Sequence, residues 1–179
     1  VFDEVYDRID ISSNYFPDST GVYDGPRLPI LAVKESTYEN EYMTDKLTSH
    51  AIQFMNKQSN ATPFFLYLGY NAVHNPWQAE KKYYDRLSNI KDEYMRVQAS
   101  LIACADENIG ILLNYLENRK LIDNTIIVFV SDNGPAKGGP ELKTWEGYDP
   151  SFEYVFGQMK TLRGHKVDLY EGGIRTPMI

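Results

Sequence analysis

Two side chains that could bind a metal ion follow an apolar segment of this sequence. The uncharged run Ile126–Val130 predicts a strand buried on both faces of a sheet, and Asp132 and Asn133 come just after it, behind Ser131. Ligands of open α/β sheets bind beyond the carboxyl ends of the strands. A carboxylate beside an amide carbonyl offers the hard oxygen ligands that Ca²⁺ and Mg²⁺ take. The same residues are also typical of a polar turn, so both interpretations stay open.

A histidine follows a second apolar segment in the same way. The run Phe64–Tyr70, which opens after Pro63, predicts another buried strand, and His74 comes shortly after its end. Its position therefore matches that of the two oxygen ligands, which makes it a candidate for catalysis as well as for a turn. Lys166 lies in the glycine-rich segment Leu162–Pro177 and is the remaining candidate, with a solvated loop lysine as its alternative.

Two helices and two loops would position these residues. Apolar residues on one stripe predict a helix of about three turns over Thr44–Lys57, with Thr44 as its N-cap. The clearest helical pattern covers Glu93–Lys120. Strand, helix and strand then follow one another as in a parallel βαβ unit, which predicts an α/β fold. Residues 1–41 lack periodicity and are expected to form a long, ordered loop with short extended pieces. Residues 135–160 also lack periodicity and are expected to form a functional loop beside the site.

Composition excludes several classes of protein. The 179 residues carry a formal charge of −7 without a basic cluster, which argues against a nucleic-acid partner. Cys104 is the single cysteine, so neither an internal disulfide nor a zinc site built on CxxC pairs is possible, and its helical position predicts a core residue. No apolar stretch is long enough to span a membrane. Because no Met starts the chain and it ends on the strand-like TPMI, we expect an internal piece of a longer protein.

Five blocks occur in a recognisable order along the chain: FDEVY, YMTDKLTSHAIQFM, PFFLYLGYNAVHNP, IIVFVSDNG and LRGHKVDLYEGGIRTP. They resemble blocks of the formylglycine-dependent sulfatases, the type I arylsulfatases of the alkaline-phosphatase-like superfamily. The resemblance covers essentially all of the chain, with residues 7–36 and 135–158 matching only as variable loops. It implies an α/β, alkaline-phosphatase-like domain with a mostly parallel central sheet and helices on both faces, of which this chain would be a part.

The same resemblance implies roles for the candidate residues. Asp132 and Asn133 would be two of the Ca²⁺ ligands, His74 would contact the sulfate and help to protonate the leaving oxygen, and Lys166 would bind a sulfate oxygen. These roles make chemical sense. A divalent cation and an ammonium neutralise charge on the sulfuryl oxygens while the S–O bond breaks, and an imidazole supplies the proton that the leaving alkoxide needs.

Some family features are absent from these residues. The formylglycine nucleophile arises from a CxPSR or SxPSR motif, which does not occur here, and Cys104 lies in the helical sequence ACADE instead. Paired N-terminal aspartates and a GKWHLG block are also missing. Since the family places all of these upstream of FDEVY, we expect residues 1–179 to be an internal fragment of one sulfatase catalytic domain. It would lack the N-terminal part with the nucleophile and the C-terminal part, and would be inactive alone.

The expected activity of the intact parent is Ca²⁺-assisted hydrolysis of sulfuric esters by formylglycine chemistry. The substrate would be a small-molecule or glycan sulfate ester, with a sulfated carbohydrate favoured, and the protein would be exported to the periplasm or the extracellular space, or lysosomal. Two alternatives remain: a phosphodiester or phosphonate monoester hydrolase of the same superfamily, and a non-catalytic relative that binds sulfated glycans. Trp77 and Trp145 are candidates for sugar contacts because they lie in predicted loops.

Overall fold

The computed structural model describes residues 31–34, 41–59, 62–74, 76–136 and 161–179. Its elements in chain order are β1 (Leu31–Lys34), α1 (Met43–Lys57), β2 (Trp77–Glu80), α2 (Lys81–Arg86), α3 (Glu93–Asn118), a 3₁₀ turn (Ile122–Asn124) and α4 (Glu171–Ile174). The chain divides into two compact units, Val1–Asp123 and Asn124–Ile179. The predicted loop over residues 1–41 contains β1. Residues 1–30 and 35–40 of that loop, with the FDEVY block, lie outside the described residues. Residues 137–160 of the second predicted loop, with Trp145, also lie outside them.

Helix α3 is the main element of the first unit. It begins because the carboxylate of Asp92 accepts a hydrogen bond from the backbone N–H of Met95 (2.8 Å). It ends at Asn118, two residues earlier than predicted, because Lys120 adopts a left-handed φ of 55°. The N–H groups of Lys120 and Leu121 then bond to the carbonyls of Glu117 and Leu116, which is the Schellman arrangement. No helix in the described part of the chain is long and apolar enough to cross a membrane.

The buried stripe of α3 differs in part from the predicted one. The helical pattern predicts a core stripe of seven residues, of which Ala105, Ile109 and Leu112 are only half-buried. The other four are buried as expected: Tyr94, Val97, Leu101 and Leu116. Between them, however, the stripe passes through Cys104 and Asn108, which are both about 1 % exposed. A search for apolar residues at helical spacing does not select Asn108, because asparagine is polar. A buried amide is tolerated only where it finds hydrogen-bond partners, which such a search does not detect.

Helix α1 confirms the predicted helix but not its predicted N-cap. It begins at Met43, so Tyr42 occupies the cap position and Thr44 lies inside the helix, fully buried. The hydroxyl of Tyr42 donates to the carbonyl oxygen of Gln78 in β2 (2.6 Å). This anchor fixes where the chain enters the helix, so a tertiary contact overrides the local capping preference of threonine.

A parallel pair of strands passes through the core of the first unit. β1 and β2 pair in register from Leu31 opposite Trp77 to Lys34 opposite Glu80. All four residues of β2 are buried, as expected for a parallel strand covered on both faces. Trp77 is only 3 % exposed and packs edge-to-face on Tyr94 with ring centroids 5.2 Å apart. The interpretation of Trp77 as a sugar-contacting loop residue is therefore wrong, because its indole is part of the core.

The two predicted buried strands are not strands in the described residues. Residues 64–70 form neither a strand nor a helix; their side chains are alternately half-buried and exposed, and Phe65 is 77 % exposed. Residues 126–130 are exposed, with Ile126 at 94 %, and form only an isolated antiparallel bridge from Val130 to Met178. Apolar β-branched residues favour an extended backbone, but a strand also needs a neighbour to complete its ladder. The predicted strand–helix–strand unit is therefore unconfirmed at these residues, and the parallel strand pair in the described part of the chain is β1–β2, with α1 between the two strands in the sequence.

Candidate active site

The turn after Val130 presents the two predicted metal ligands. One carboxylate oxygen of Asp132 accepts a hydrogen bond from the backbone N–H of Asn133 (2.9 Å), and Ser131 donates to the carbonyl of Asn133 (3.0 Å). The side-chain NH₂ of Asn133 donates to the carbonyl of Gly134 (2.8 Å). The second oxygen of Asp132 and the amide oxygen of Asn133 are therefore the atoms that would face a cation. Asp132 is exposed and Asn133 is half-buried.

Backbone contacts join this turn to the segment that carries Lys166. The N–H of Gly134 donates to the carbonyl of Gly173, and the N–H of Lys166 donates to the carbonyl of Pro135, both at 2.8 Å. These two segments approach so closely that a Cβ atom on Gly134 would overlap the carbonyl oxygen of Gly172. Only glycine permits such an approach. The structure thus brings Asp132, Asn133 and Lys166 into one compact unit by means of their backbones.

Lys166 occupies a corner of a tight turn. The N–H of Asp168 donates to the carbonyl of His165 (2.9 Å), so Lys166 and Val167 are the two central residues of the turn. Val167 has a φ of 73°, which a β-branched side chain rarely adopts. The Lys166 side chain is half-buried. The turn therefore fixes the direction in which the lysine leaves the backbone.

A second link closes the Lys166 segment beyond the turn. Arg163 donates to the hydroxyl of Tyr170 (2.7 Å), and its guanidinium carbon lies 3.7 Å from the centroid of that ring. The N–H of Gly172 donates to the carbonyl of Arg163 (2.7 Å). Residues 163–172 therefore form a loop whose two ends are tied together, and Lys166 lies inside it.

His74 belongs to the first unit, where a segment without regular secondary structure positions it. The hydroxyls of Tyr70 and Thr48 lie 2.6 Å apart, and Phe64 packs edge-to-face on Phe54 of α1 at 6.0 Å. Burial raises the pKa of Tyr70 above its ordinary value, so its phenol keeps its proton at neutral pH. Beyond this anchor the backbone turns, with the N–H of His74 donating to the carbonyl of Asn71 (2.7 Å). The imidazole side chain is exposed.

A cluster of ionisable groups in the first unit was not predicted from the sequence. Possible ligand atoms of Asp45, Glu80 and Cys104 lie within 4.8 Å of one another. The ammonium of Lys82 lies 3.0 Å from Glu80 and 3.4 Å from Asp45, and Asn108 donates to Asp45 (2.7 Å). The distances would suit a metal ion, but Lys82 already supplies positive charge to both carboxylates. No local pattern could have found this cluster, since its members come from four different elements.

The protonation states of the cluster follow from burial and charge. Burial, and then the carboxylates of Asp45 and Glu80, raise the pKa of the Cys104 thiol far above its ordinary value. Burial acts to lower the pKa of Lys82, but its hydrogen bond to Glu80 and the charge of Asp45 outweigh that effect and raise it. The thiol is therefore neutral and the ammonium charged near pH 7. This confirms Cys104 as a buried core residue rather than a nucleophile.

Comparison with known proteins identifies the family. The sequence model of the family described as Sulfatase matches residues 1–179. The chain is 32 % identical over 149 residues to an N-acetylgalactosamine-6-O-sulfatase of Bacteroides thetaiotaomicron, covering 82 % of this chain and 26 % of that protein. It is 33 % identical over 141 residues to arylsulfatase J of Mus musculus, covering 77 % and 21 %. The chain therefore belongs to the sulfatase family.

A solved structure agrees with this assignment. The crystal structure of Ps i-CgsB in complex with k-i-k-neocarrahexaose superimposes with a TM-score of 0.63 at 34 % identity, covering 79 % of this chain and 28 % of that one. The chain thus has the alkaline-phosphatase-like fold of sulfatases in the part that it covers. It spans about a quarter of the length of the relatives that it matches.

Proposed function

We propose that the complete protein hydrolyses sulfate esters and that this chain supplies part of its active site. The observation that carries the proposal is the pair of backbone hydrogen bonds, Gly134 to Gly173 and Lys166 to Pro135, within a chain of the sulfatase family. These bonds join the backbone that carries two candidate oxygen ligands to the backbone that carries a lysine. Such a combination suits a tetrahedral oxyanion, whose charge needs a cation on more than one side.

Asp132 and Asn133 have the donors that a calcium ion requires. Each keeps one oxygen that is not used in the hydrogen bonds of the turn, and Ca²⁺ prefers carboxylate and amide oxygens. These two residues would hold the ion together with ligands from elsewhere in the protein. When bound, a divalent cation would polarise the sulfuryl group and offset its negative charge.

Lys166 and His74 would act on the substrate directly. Lys166 would bind a sulfuryl oxygen through its ammonium and so favour the more charged transition state. His74, whose imidazole is exposed, would hold a proton and deliver it to the leaving oxygen. The family resemblance implies a formylglycine nucleophile in a CxPSR or SxPSR segment, and no residue of this chain is assigned that role.

A sulfated carbohydrate is the substrate class that we favour. Two relatives point towards it: one is an N-acetylgalactosamine-6-O-sulfatase, and the other is Ps i-CgsB in complex with k-i-k-neocarrahexaose. An exported or lysosomal location is part of the same proposal, and fractionation of cells that express the complete protein would test it.

The test is a comparison of esters and of variants in the complete protein. We expect release of sulfate from an aryl sulfate and a sulfated oligosaccharide to exceed release of the phenol from the matching aryl phosphate diester by at least about 100-fold, or about 2.7 kcal/mol. Lys166→Ala and His74→Ala should each lower kcat/KM for the sulfate ester by about 100-fold or more, the range for removing a charge-stabilising donor or a general acid.

A matched substitution at another lysine controls for nonspecific damage. Lys91 is exposed, and its ammonium donates to the nearby carbonyl of Ser88. Lys91→Ala should stay within about twofold of the parent rate, as surface changes outside a site usually do. Faster hydrolysis of the phosphate diester would favour the alternative esterase function. Binding of a sulfated glycan without turnover would favour the non-catalytic relative.

A further inference from the structure

The turn that carries Lys166 is held by one carboxylate. An oxygen of Asp168 accepts a hydrogen bond from the backbone N–H of His165 (3.1 Å). The N–H of Asp168 in turn donates to the carbonyl of His165 (2.9 Å). Asp168 therefore closes both sides of the turn, once through its backbone and once through its side chain. The two residues enclosed between these contacts are Lys166 and Val167.

The ring of His165 adds a third contact to the same turn. Its Nδ1 lies 2.9 Å from the carbonyl oxygen of Lys166 and 3.3 Å from the carboxylate of Asp168. A carbonyl oxygen and an ionised carboxylate can accept hydrogen bonds but cannot donate them. The Nδ1 atom of His165 is therefore the donor to both neighbours. The imidazole thereby connects the carbonyl of Lys166 to the side chain of Asp168.

We propose that Asp168 is a positioning residue for Lys166, and that it acts through the turn and the ring of His165. This inference deepens the proposed function and rests on it, because it assumes that Lys166 binds the sulfuryl group. The need for such support is visible in the backbone. Val167 holds a φ of 73°, and a β-branched residue keeps such a conformation only where its surroundings enforce it.

The turn that carries Lys166 is bonded to the segment that follows the proposed metal ligands, so its conformation affects where the lysine lies relative to them. The N–H of Lys166 donates to the carbonyl of Pro135, which follows the Asp132–Asn133 turn. A turn that opened at Asp168 would loosen this bond and let the ammonium move with respect to the proposed cation site. Misplacement of a catalytic group by about 1 Å can lower a rate by about 100-fold.

The decisive experiment is a double-mutant cycle in the complete protein, with kcat/KM for an aryl sulfate as the readout. We expect Asp168→Ala to lower kcat/KM by about 10- to 100-fold, and Asp168→Asn, which keeps an acceptor oxygen, to stay within about threefold. In a Lys166→Ala background, Asp168→Ala should add less than about twofold, because residues that act through one another are not additive. The matched control is Asp123→Ala, which removes an exposed carboxylate from the 3₁₀ turn.

A measurement that does not depend on catalysis accompanies the cycle. The backbone N–H of Lys166 is hydrogen-bonded, so its hydrogen exchange is expected to speed up by at least about 10-fold in Asp168→Ala, while the N–H of Gly134 stays protected. Equal loss of protection at both amides would show general unfolding of the unit and would overturn the inference.

The outcomes separate this inference from the proposed function. If the parent protein releases no sulfate, or if Lys166→Ala is as active as the parent, the proposed role of Lys166 fails, and the positioning role fails with it. If Lys166→Ala is impaired but Asp168→Ala is not, only the positioning role is overturned. Effects of Lys166→Ala and Asp168→Ala that multiply in the double variant would also overturn it, as would an Asp168→Asn variant as impaired as Asp168→Ala.

Discussion

Each of the two compact units is stabilised by its own kind of internal contact. In the first unit, side chains from four elements converge on a partly buried cluster, in which Lys82 faces Glu80 and Asp45, and Asn108 donates to Asp45. In the second unit, backbone groups bond directly to backbone groups, and glycines permit the approach. Side-chain packing tolerates some adjustment by rotamer changes, whereas a backbone contact has no rotamer to change. The proposed metal ligands Asp132 and Asn133 and the proposed sulfate-binding residue Lys166 lie in the less adjustable unit, whereas His74 belongs to the first.

This difference has a consequence for function. Groups that bind a reacting oxyanion must be held within a fraction of an ångström, and supports with few degrees of freedom achieve this best. The Lys166 turn is only four residues long, yet it is fixed by Pro135 on one side and by Asp168 on the other. The cluster around Cys104, in contrast, can be expected to stabilise the fold without taking part in chemistry.

Substitutions of glycine should show the difference between the two units most clearly. Gly134→Ala would place a Cβ atom on the carbonyl oxygen of Gly172, so a backbone segment must move. We expect a loss of about 3 kcal/mol or more in the free energy of unfolding of the second unit, together with loss of hydrogen-exchange protection at Lys166. Urea denaturation followed by hydrogen exchange measures both.

The control for this change is a glycine in the first unit. Gly110 lies inside α3, and a Cβ atom built on it meets nothing within 4 Å. Gly110→Ala should therefore stabilise the helix by about 0.5–1 kcal/mol, the usual difference between the two residues in a helix interior. A destabilised Gly110→Ala variant, or an unaffected Gly134→Ala variant, would contradict the contrast between the units.

Alkaline pH should act on the first unit through Cys104. Because its folded pKa is raised, the thiol stays protonated in the native state while it ionises near pH 8.5 in the unfolded chain. The unfolded state then binds fewer protons, so the contribution of this thiol to stability is constant below that pH and falls above it. At pH 10 the loss should be about 2 kcal/mol relative to pH 7.

A substitution isolates the contribution of the thiol. Urea denaturation of Cys104→Ala should show a lower stability at pH 7, because a buried sulfur is lost, but a flatter dependence between pH 8.5 and pH 10. Above that range Tyr70 and Tyr83, whose pKa values burial also raises, would contribute a similar decline. An equally steep decline in both proteins up to pH 10 would assign the effect to another group.

The two units also differ in how far the sequence predicts them. Helices α1 and α3 follow from their apolar stripes, because a helix satisfies its own hydrogen bonds and its pattern is local. The strands predicted at Phe64–Tyr70 and Ile126–Val130 depend on neighbours that no local pattern reveals. β2 was missed because its residues Gln78 and Glu80 are polar although fully buried. In the second unit, the segment around Lys166 was recognised by resemblance, but the contact of Asp168 with His165 could only be seen in three dimensions.

The smallest expected effects come from two residues with a left-handed backbone, one in each unit. Lys120 has a φ of 55° at the end of α3, and Val167 has a φ of 73° beside Lys166. Glycine adopts such angles without the steric cost that other residues meet. Lys120→Gly and Val167→Gly should therefore each raise the free energy of unfolding by about 0.5–1 kcal/mol, as measured by urea denaturation.

The functional consequences of these two substitutions should differ. Lys120→Gly relaxes a helix end that only connects elements, so sulfate release by the complete protein should stay within about twofold of the parent rate. Val167→Gly relaxes the turn that holds Lys166 and gives it access to other conformations, so kcat/KM should fall several-fold although the protein becomes more stable. If Val167→Gly gained stability without losing activity, the strain at this turn would have no part in positioning the lysine. The second unit would then resemble the first in tolerating local relaxation.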